Sequence, residues 1–301
     1  MKNKIVLLIL MLCASTAFGT ETEVSTEEKN PIAETSDSES TKIVTQPKIV
    51  TSITPIGSII AMVTRDAAQI VAIDASSGCP HHYHMKPSDK DKVNNANMMV
   101  YIDNHFDGFA GRLFEGFQGK VIKISDIKSV KLKGSSDKIN WHIWLDLNNA
   151  LALQEEVVSY LSSEFPAIKD AVLSNLEESR VQIAELMKLK ADALKSVGEL
   201  VVLSHSLEHF FTGSEAKITK LYQKSNSSLN DFAKLDSTLN VDSDLCIVLD
   251  STQDPKAYEK YNKKIVQLES ENWVLDDCMH GDSKLFYNKY INIINNLKAC
   301  K

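Results

Sequence analysis

The longest periodic segment of the chain lies near its middle and constrains the fold more than any other feature. Apolar residues recur there at steps of three, four, seven or eight, which is the spacing of one face of an α-helix: Ile168, Val172, Leu176, Ile183, Leu186, Leu194 and Val197. The segment follows Pro166 and stops before Gly198, so it predicts a helix of about 30 residues, about 45 Å long. A rod of that length exceeds the needs of one small domain, and we expect it to join two lobes.

The chain before this helix alternates predicted strands and helices. Apolar runs bounded by turn residues predict strands at 48–53, 70–73, 98–102 and 121–124, and helices at 55–63, 87–97, 109–117 and from Asn148 onward. Such alternation favours a parallel sheet covered by helices on both faces. Residues 48–165 are therefore predicted to form an N-terminal α/β lobe.

The same pattern restarts after the long helix. Strands are predicted at 200–203, 245–249 and 273–275, and helices at 255–268 and 285–297. These elements predict a C-terminal α/β lobe over 199–301. The predicted fold class is thus α/β, with two βα lobes of parallel sheets joined by one long backbone helix over 166–198.

The first 19 residues have the three-part layout of a secretory signal peptide. Lys2 and Lys4 precede an apolar run over 5–12, and small residues follow up to Gly19, after which cleavage is expected. The run is too short to span a bilayer core about 30 Å thick. Acylation of Cys13 is a weaker alternative, because Leu12 stands where lipoprotein sites usually carry a small residue. The mature protein is therefore expected to be exported to the periplasm.

Charge and composition limit the classes of partner that the chain is expected to bind. The formal net charge of −7 becomes −9 without the signal segment, which carries two lysines and no acidic residue. A nucleic-acid binder needs clustered Lys and Arg, so the acidic balance argues against that class. Residues 20–47 are rich in Thr, Ser and Glu and are predicted to be a disordered acidic leader. Cations, proteins or small molecules remain as expected partners.

Four cysteines remain in the mature chain, Cys79, Cys246, Cys278 and Cys300. Disulfides persist in exported proteins. Four cysteines allow three pairings, and their spacing alone does not choose among them.

Three histidines follow predicted strands, where ligands bind in open α/β sheets. His81 lies in the segment P-H-H-Y-H, His142 in N-W-H-I-W-L-D, and His205 ends L-S-H. Imidazole nitrogens are common zinc ligands, and three of them from separate loops can build a tetrahedral site. The sequence therefore predicts a zinc site of His81, His142 and His205, against the alternative that each is an ordinary polar residue.

A rival motif overlaps the third histidine. His205, Glu208 and His209 have the H-x-x-E-H form of inverted zinc metallopeptidases, in which two histidines bind zinc and the glutamate activates water. Such an enzyme also needs a further acidic ligand, and a five-residue match arises easily by chance. The chain has no G-x-x-x-x-G-K loop, no G-x-G-x-x-G loop and no G-x-S-x-G elbow.

The segments around two of these histidines resemble a known family, the zinc-uptake substrate-binding proteins of bacterial ABC importers. Residues 80–89, P-H-H-Y-H-M-K-P-S-D, are similar to the family's ligand loop and the following helix start, and 140–146 to its H-[IL]-W-L stretch. The resemblance covers about 48–300 and puts His81, His142 and His205 on the first three ligand positions. Asp276 falls on the fourth position, with water as the alternative, because the residues after it depart from the family pattern.

This resemblance implies a function without catalysis. The chain would capture Zn²⁺ as transported ligand in the cleft between the lobes and deliver it to the permease and ATPase subunits of an ABC importer, acting as a monomer. Histidine at the third position resembles the zinc branch, whereas manganese receptors of the group carry a carboxylate there, so a manganese receptor is the alternative within the family. Cys246 and Cys300 look like the family's disulfide pair. Residues 212–244 match poorly.

Overall fold

The computed structural model describes residues 46–74, 83–134, 138–222, 228–271, 273 and 283–301. These residues belong to one compact unit that covers 44–301. The predicted signal peptide and nearly all of the predicted leader lie outside the described residues, as do His81 and Asp276. The predicted domain boundaries stay a prediction.

The first sheet is fully parallel, as the βα alternation predicts. Its strands are β1 Lys48–Ile53, β2 Gln69–Asp74, β3 Met98–Tyr101 and β4 Lys120–Lys123, in the order β2-β1-β3-β4. Ile49 pairs with Ile70 on one side and with Met98 on the other. β1 is buried from Ile49 onward, which is typical of a central strand with both faces covered.

Four helices accompany this sheet: α1 Thr54–Thr64, α2 Pro87–Val93, α3 Gly108–Leu113 and α4 Leu147–Glu164. α1 has Pro55 in its first turn and is buried along its whole length, because it packs on β1 and on the long helix. α2 is shorter than the predicted helix over 87–97, since Asn94 is extended and Asn95 is left-handed with φ 59°.

The predicted long helix is α5, Lys169–Ser196, which follows a short 3₁₀ turn at Pro166–Ile168. Its 28 residues span about 42 Å at 1.5 Å per residue. α5 packs on α1 and α4 beside the first sheet and on the C-terminal helix beside the second. Its buried stripe includes Val172, Leu176, Ile183, Leu186 and Leu194, the residues whose spacing predicts the helix.

The second sheet is also fully parallel. Its strands are β5 Glu199–Val202, β6 Ile218–Lys220, β7 Leu245–Asp250 and β8 Lys264–Leu268, in the order β6-β5-β7-β8. Two helices accompany it, α6 Leu229–Leu239 and α7 Leu285–Leu297. A disulfide joins Cys246 of β7 to Cys300 after α7, the pairing that the resemblance implies.

One predicted helix in this region is wrong. The segment predicted as a helix over 255–268 forms a 3₁₀ helix at Pro255–Tyr261 and then strand β8. Asn262 adopts a left-handed conformation with φ 50° and ends the first element, and Val266 and Leu268 then bury alternate positions of the strand. Trp273, predicted to begin a strand, lies outside any strand, and the residues that follow it are not described. β6 and α6 were not predicted.

The main hydrophobic core extends from the first sheet to the second. It includes side chains of β1, α1 and α4, the buried stripe of α5, and Trp273, Phe286 and Tyr290 of the C-terminal part. A smaller cluster lies under α6 and includes Leu235 and Leu239. In the part of the chain that the structure describes, every helix is too short or too polar to cross a membrane.

Candidate metal centre

Two of the four predicted metal ligands can be placed. His142 and His205 are described, whereas His81 and Asp276 lie outside the described residues. Among the described residues alone, no three His, Cys, Asp or Glu side chains are grouped closely enough to hold a metal ion. The described part of the site therefore consists of two imidazoles and the groups that orient them.

His142 lies in the loop before α4, and its ring is held from one side by Asn140. The backbone N–H of His142 donates to Asn140 Oδ1 at 3.0 Å, which identifies that atom as the amide oxygen. The ring atom Nδ1 lies 2.9 Å from the same oxygen and therefore donates its hydrogen to it. In the neutral imidazole with its hydrogen on Nδ1, the lone pair is on Nε2. A histidine in this tautomer binds a metal through Nε2.

Aromatic rings enclose the same imidazole. Phe106 meets the His142 ring edge-on with centroids 5.7 Å apart, and Trp144 lies 5.1 Å away. His142 is only 8% exposed. The ring orientation is thus set by packing as well as by hydrogen bonding.

Asn140 also connects this loop to the segment that carries His205. Its Nδ2 donates to the backbone oxygen of His205 at 2.7 Å. His205 lies three residues beyond the end of β5 and begins a 3₁₀ helix, His205–His209. One fully buried side chain thus links two predicted ligands that are far apart in the sequence.

His205 is more open than His142. Its side chain is 42% exposed, and Nε2 lies 3.5 Å from Glu208 Oε2. Glu208 also pairs with Lys220 at 3.0 Å. Burial alone would raise the pKa of Glu208, but the hydrogen bond and charge of Lys220, with smaller effects of Asn140 and His205, hold that pKa below its usual value. A carboxylate therefore lies beside His205 with its charge balanced by a lysine.

The peptidase interpretation of H-x-x-E-H is not supported. His209 is fully buried, and its Nε2 donates to the backbone oxygen of Asn140 at 2.9 Å. Burial lowers the pKa of His209, although that hydrogen bond opposes the shift. The second histidine of the motif is therefore hydrogen-bonded within the protein, and Glu208 is paired with Lys220.

Sequence reasoning missed Glu271. Its carboxylate atom Oε1 directly contacts Nε2 of His142, and the two side chains are 12% and 10% exposed. Glu271 lies three residues beyond the end of β8, where a strand-end rule would have found it. Because the sequence predicts a helix over 255–268, it predicts no strand end before Glu271.

Further hydrogen bonds hold the His142 loop against the second sheet. Trp144 Nε1 donates to the oxygen of Ser270 at 2.9 Å, and the fully buried Tyr290 hydroxyl donates to the oxygen of Leu145 at 2.7 Å. These two bonds fix the His142 loop to residues that follow β8.

Residues 49–299 match the family model described as zinc-uptake complex component A, periplasmic. The uncharacterized protein RP014 of Rickettsia prowazekii (strain Madrid E) is 39% identical over 257 residues, covering 85% of this chain and 84% of that protein. The iron ABC transporter substrate-binding lipoprotein MtsA of Streptococcus pyogenes serotype M1 is 24% identical over 274 residues, covering 85% of this chain and 81% of MtsA.

The fold is similar to solved structures as well. The structure of the periplasmic zinc binding protein TroA from Treponema pallidum superposes with a TM-score of 0.69 at 16% identity, covering 85% of this chain and 99% of that one. This similarity bears on the fold and agrees with two parallel sheets joined by a long helix.

Proposed function

The chain belongs to the family of periplasmic zinc-uptake component A proteins, and from that premise we propose that it captures Zn²⁺ for delivery to an ABC importer. Members of this family are metal-binding receptors for transport and not enzymes, and they work outside the cytoplasm. The chain is accordingly a metal-binding solute receptor. The choice of zinc, the ligand set and the route of export are the proposal.

The observation that carries the proposal is the arrangement around Asn140. Its amide oxygen accepts a hydrogen bond from Nδ1 of His142, which leaves Nε2 as the ring nitrogen that faces away from Asn140, and its amide nitrogen donates to the backbone oxygen of His205. Residues that hold a ligating histidine through its other ring nitrogen are typical of metal sites. We propose that His142 and His205 bind the ion together with His81 and with Asp276 or water.

Zinc is favoured by the donor set. Three imidazoles suit Zn²⁺, whereas Mn²⁺ prefers oxygen donors. A second candidate is Mn²⁺ or Fe²⁺, because Glu208 and Glu271 bring carboxylates to the two described histidines and a relative is described as an iron receptor.

The proposal includes the route and the partners. We propose that the predicted signal peptide directs export to the periplasm and is removed, and that the mature monomer delivers its ion to a permease and ATPase.

Metal titration of the purified mature chain tests the proposal. We expect one tightly bound Zn²⁺ per chain in competition with a chromophoric chelator, and an affinity at least tenfold lower in His81→Ala, His142→Ala and His205→Ala. His105→Ala is the matched control, because its side chain is 82% exposed and pairs with Asp103. Titrations with Mn²⁺ and Fe²⁺ compare the affinities of the protein for these ions with its affinity for Zn²⁺. Zinc affinity equal to the wild type in all three site variants would refute the proposed site.

A further inference from the structure

We infer that Asp250 is a positioning residue of the metal site and acts on His205 through a chain of three serine hydroxyls. This inference rests on the proposed function, in which His205 binds the ion. Neither the sequence motifs nor the resemblance gives Asp250 a role.

Asp250 is the last residue of β7 and is only 1% exposed. Its carboxylate accepts four hydrogen bonds. The backbone N–H and the hydroxyl of Thr252 donate to Oδ1 at 3.0 and 2.7 Å. The backbone N–H of Ser270 donates to Oδ2 at 3.2 Å, and the Ser270 hydroxyl donates to the same oxygen. An ionised carboxylate accepts about four such bonds and donates none, so Asp250 is the acceptor at each of these contacts.

A chain of hydroxyl groups leads from Asp250 to the segment that carries His205. Ser270 Oγ contacts Asp250 and lies 2.9 Å from Ser206 Oγ. Ser206 Oγ lies 2.7 Å from Ser204 Oγ. Ser270 and Ser206 are buried, and Ser204 is half-buried. The chain therefore connects a buried carboxylate to both sequence neighbours of the proposed ligand.

The carboxylate at one end sets the direction of every hydrogen bond in the chain. A serine hydroxyl has one hydrogen to donate. Ser270 donates its hydrogen to Asp250, so Ser206 supplies the hydrogen between Ser206 and Ser270, and Ser204 supplies the one between Ser204 and Ser206. Ser204 Oγ is left with lone pairs only. Because the bonds of such a chain polarise one another, the charge of Asp250 affects the oxygen beside His205.

A second connection links the same turn to the backbone before His205. The backbone N–H of Asp250 donates to Gln253 Oε1 at 2.9 Å. Gln253 Nε2 donates to the backbone oxygen of Leu203 at 3.4 Å. The turn after β7 thus holds the His205 segment through its backbone as well as through its serine hydroxyls.

Ser270 also contacts the loop of the other described histidine. Its backbone oxygen accepts the hydrogen of Trp144 Nε1 at 2.9 Å, two residues after His142. Because Asp250 fixes Ser270, it fixes the two predicted ligands relative to one another. A metal site whose ligands are held in this way binds its ion without rearrangement.

The test compares Asp250→Asn with Thr252→Val. The amide nitrogen of the asparagine would meet N–H and O–H donors on whichever side it faced, so the chain would lose its acceptor or its direction. Thr252→Val removes one donor to the carboxylate and leaves the serine chain intact. We expect Asp250→Asn to weaken Zn²⁺ binding about tenfold and to change the absorption spectrum of the Co²⁺ form. Thr252→Val should keep the wild-type spectrum and bind zinc within twofold of the wild type.

The Co²⁺ spectrum separates positioning from stability, because it reports the ligand geometry and not the free energy of unfolding. Ser206→Ala, which interrupts the chain in its middle, provides a second test. We expect it to weaken Zn²⁺ binding about tenfold and to change the Co²⁺ spectrum as well. The double variant of Asp250→Asn and Ser206→Ala should also lose about tenfold, because two changes in one chain remove the same interaction.

The outcomes separate this inference from the proposed function. If His205→Ala weakens zinc binding while Asp250→Asn keeps the affinity and the Co²⁺ spectrum of the wild type, Asp250 is not a positioning residue and the receptor site stands. Losses that multiply to about a hundredfold in the double variant, or a loss in Thr252→Val equal to that in Asp250→Asn, also overturn the inference. If His205→Ala binds zinc as tightly as the wild type, the proposed site and this inference both fail. Circular dichroism establishes that each variant is folded, and if Asp250→Asn is not, the affinity and the spectrum of Ser206→Ala decide.

Discussion

Replacement of Asn140 by alanine should lower both the free energy of unfolding and the affinity for the metal. The variant removes the acceptor for two His142 hydrogens and the donor to the His205 oxygen. A buried polar group that loses its partner costs about 1 to 3 kcal/mol. His205 is partly exposed, so water can replace part of the loss. We therefore expect the free energy of unfolding to fall by about 3 kcal/mol.

Metal affinity should fall for a separate reason. Without the Asn140 oxygen, nothing in the described part of the loop selects the tautomer of His142 that presents Nε2. Loss of such an orienting group typically costs about 10- to 100-fold in metal affinity. We expect a loss of that size for Zn²⁺ in Asn140→Ala.

Asn175→Ala is the matched control. Asn175 is also a buried asparagine, and its Nδ2 donates to the oxygen of Val63 at 3.2 Å, but it lies on α5 and touches neither described histidine. We expect a loss of about 1 kcal/mol in stability and an unchanged zinc affinity. Urea unfolding measures the stabilities, and chelator competition measures the affinities. If Asn140→Ala binds zinc within twofold of the wild type, the orienting role is refuted even if the variant is less stable.

Three further predictions concern stability and are measured by urea unfolding of the metal-free protein. Replacing both Cys246 and Cys300 by serine should cost about 4 kcal/mol, the loop-closure value for their separation of 54 residues; a loss below 1 kcal/mol would contradict it. Tyr290→Phe should cost about 1 to 2 kcal/mol, because the buried oxygen of Leu145 loses its donor, and an equally stable variant would speak against that bond. Burial raises the pKa of Asp107 to about 6. Because this pKa lies above that of the unfolded chain, the contribution of Asp107 to the free energy of unfolding is complete below about pH 4 and falls by about 3 kcal/mol as the pH rises through 6. Asp107→Asn should remove that decrease, and a difference between wild type and variant that is constant from pH 4 to 7 would show the opposite.

Local sequence patterns were sufficient where an element has a strong period or a clear boundary. The apolar stripe of α5 and the βα alternation of the first sheet predicted helices and parallel strands that the structure contains. They were insufficient at β8, because a short apolar run such as Ile265-Val266-Gln267-Leu268 fits a strand or one turn of a helix equally well. The hydrogen bonds to β7 make this run a strand.

The candidate site likewise has features that the sequence predicts and features that it does not. The residue types and their positions after predicted strands pointed to His142 and His205. The sequence could not indicate that His209, which has the same side chain and stands four residues later, is buried against Asn140. Nor could it distinguish Glu271 from Glu269 two residues earlier, since only the folded chain pairs one of them with Lys289.

The sequence by itself thus determined the order of most strands and helices along the chain and the kind of side chains available for a metal, because periodicity and residue chemistry are local properties. Only the tertiary structure decided which group each ring nitrogen of His142 contacts, namely Asn140 at Nδ1 and Glu271 at Nε2. The contact of His142 with Glu271 and the contact of Asn140 with His205 join residues that are 129 and 65 positions apart in the chain and that become neighbours only when both sheets have formed.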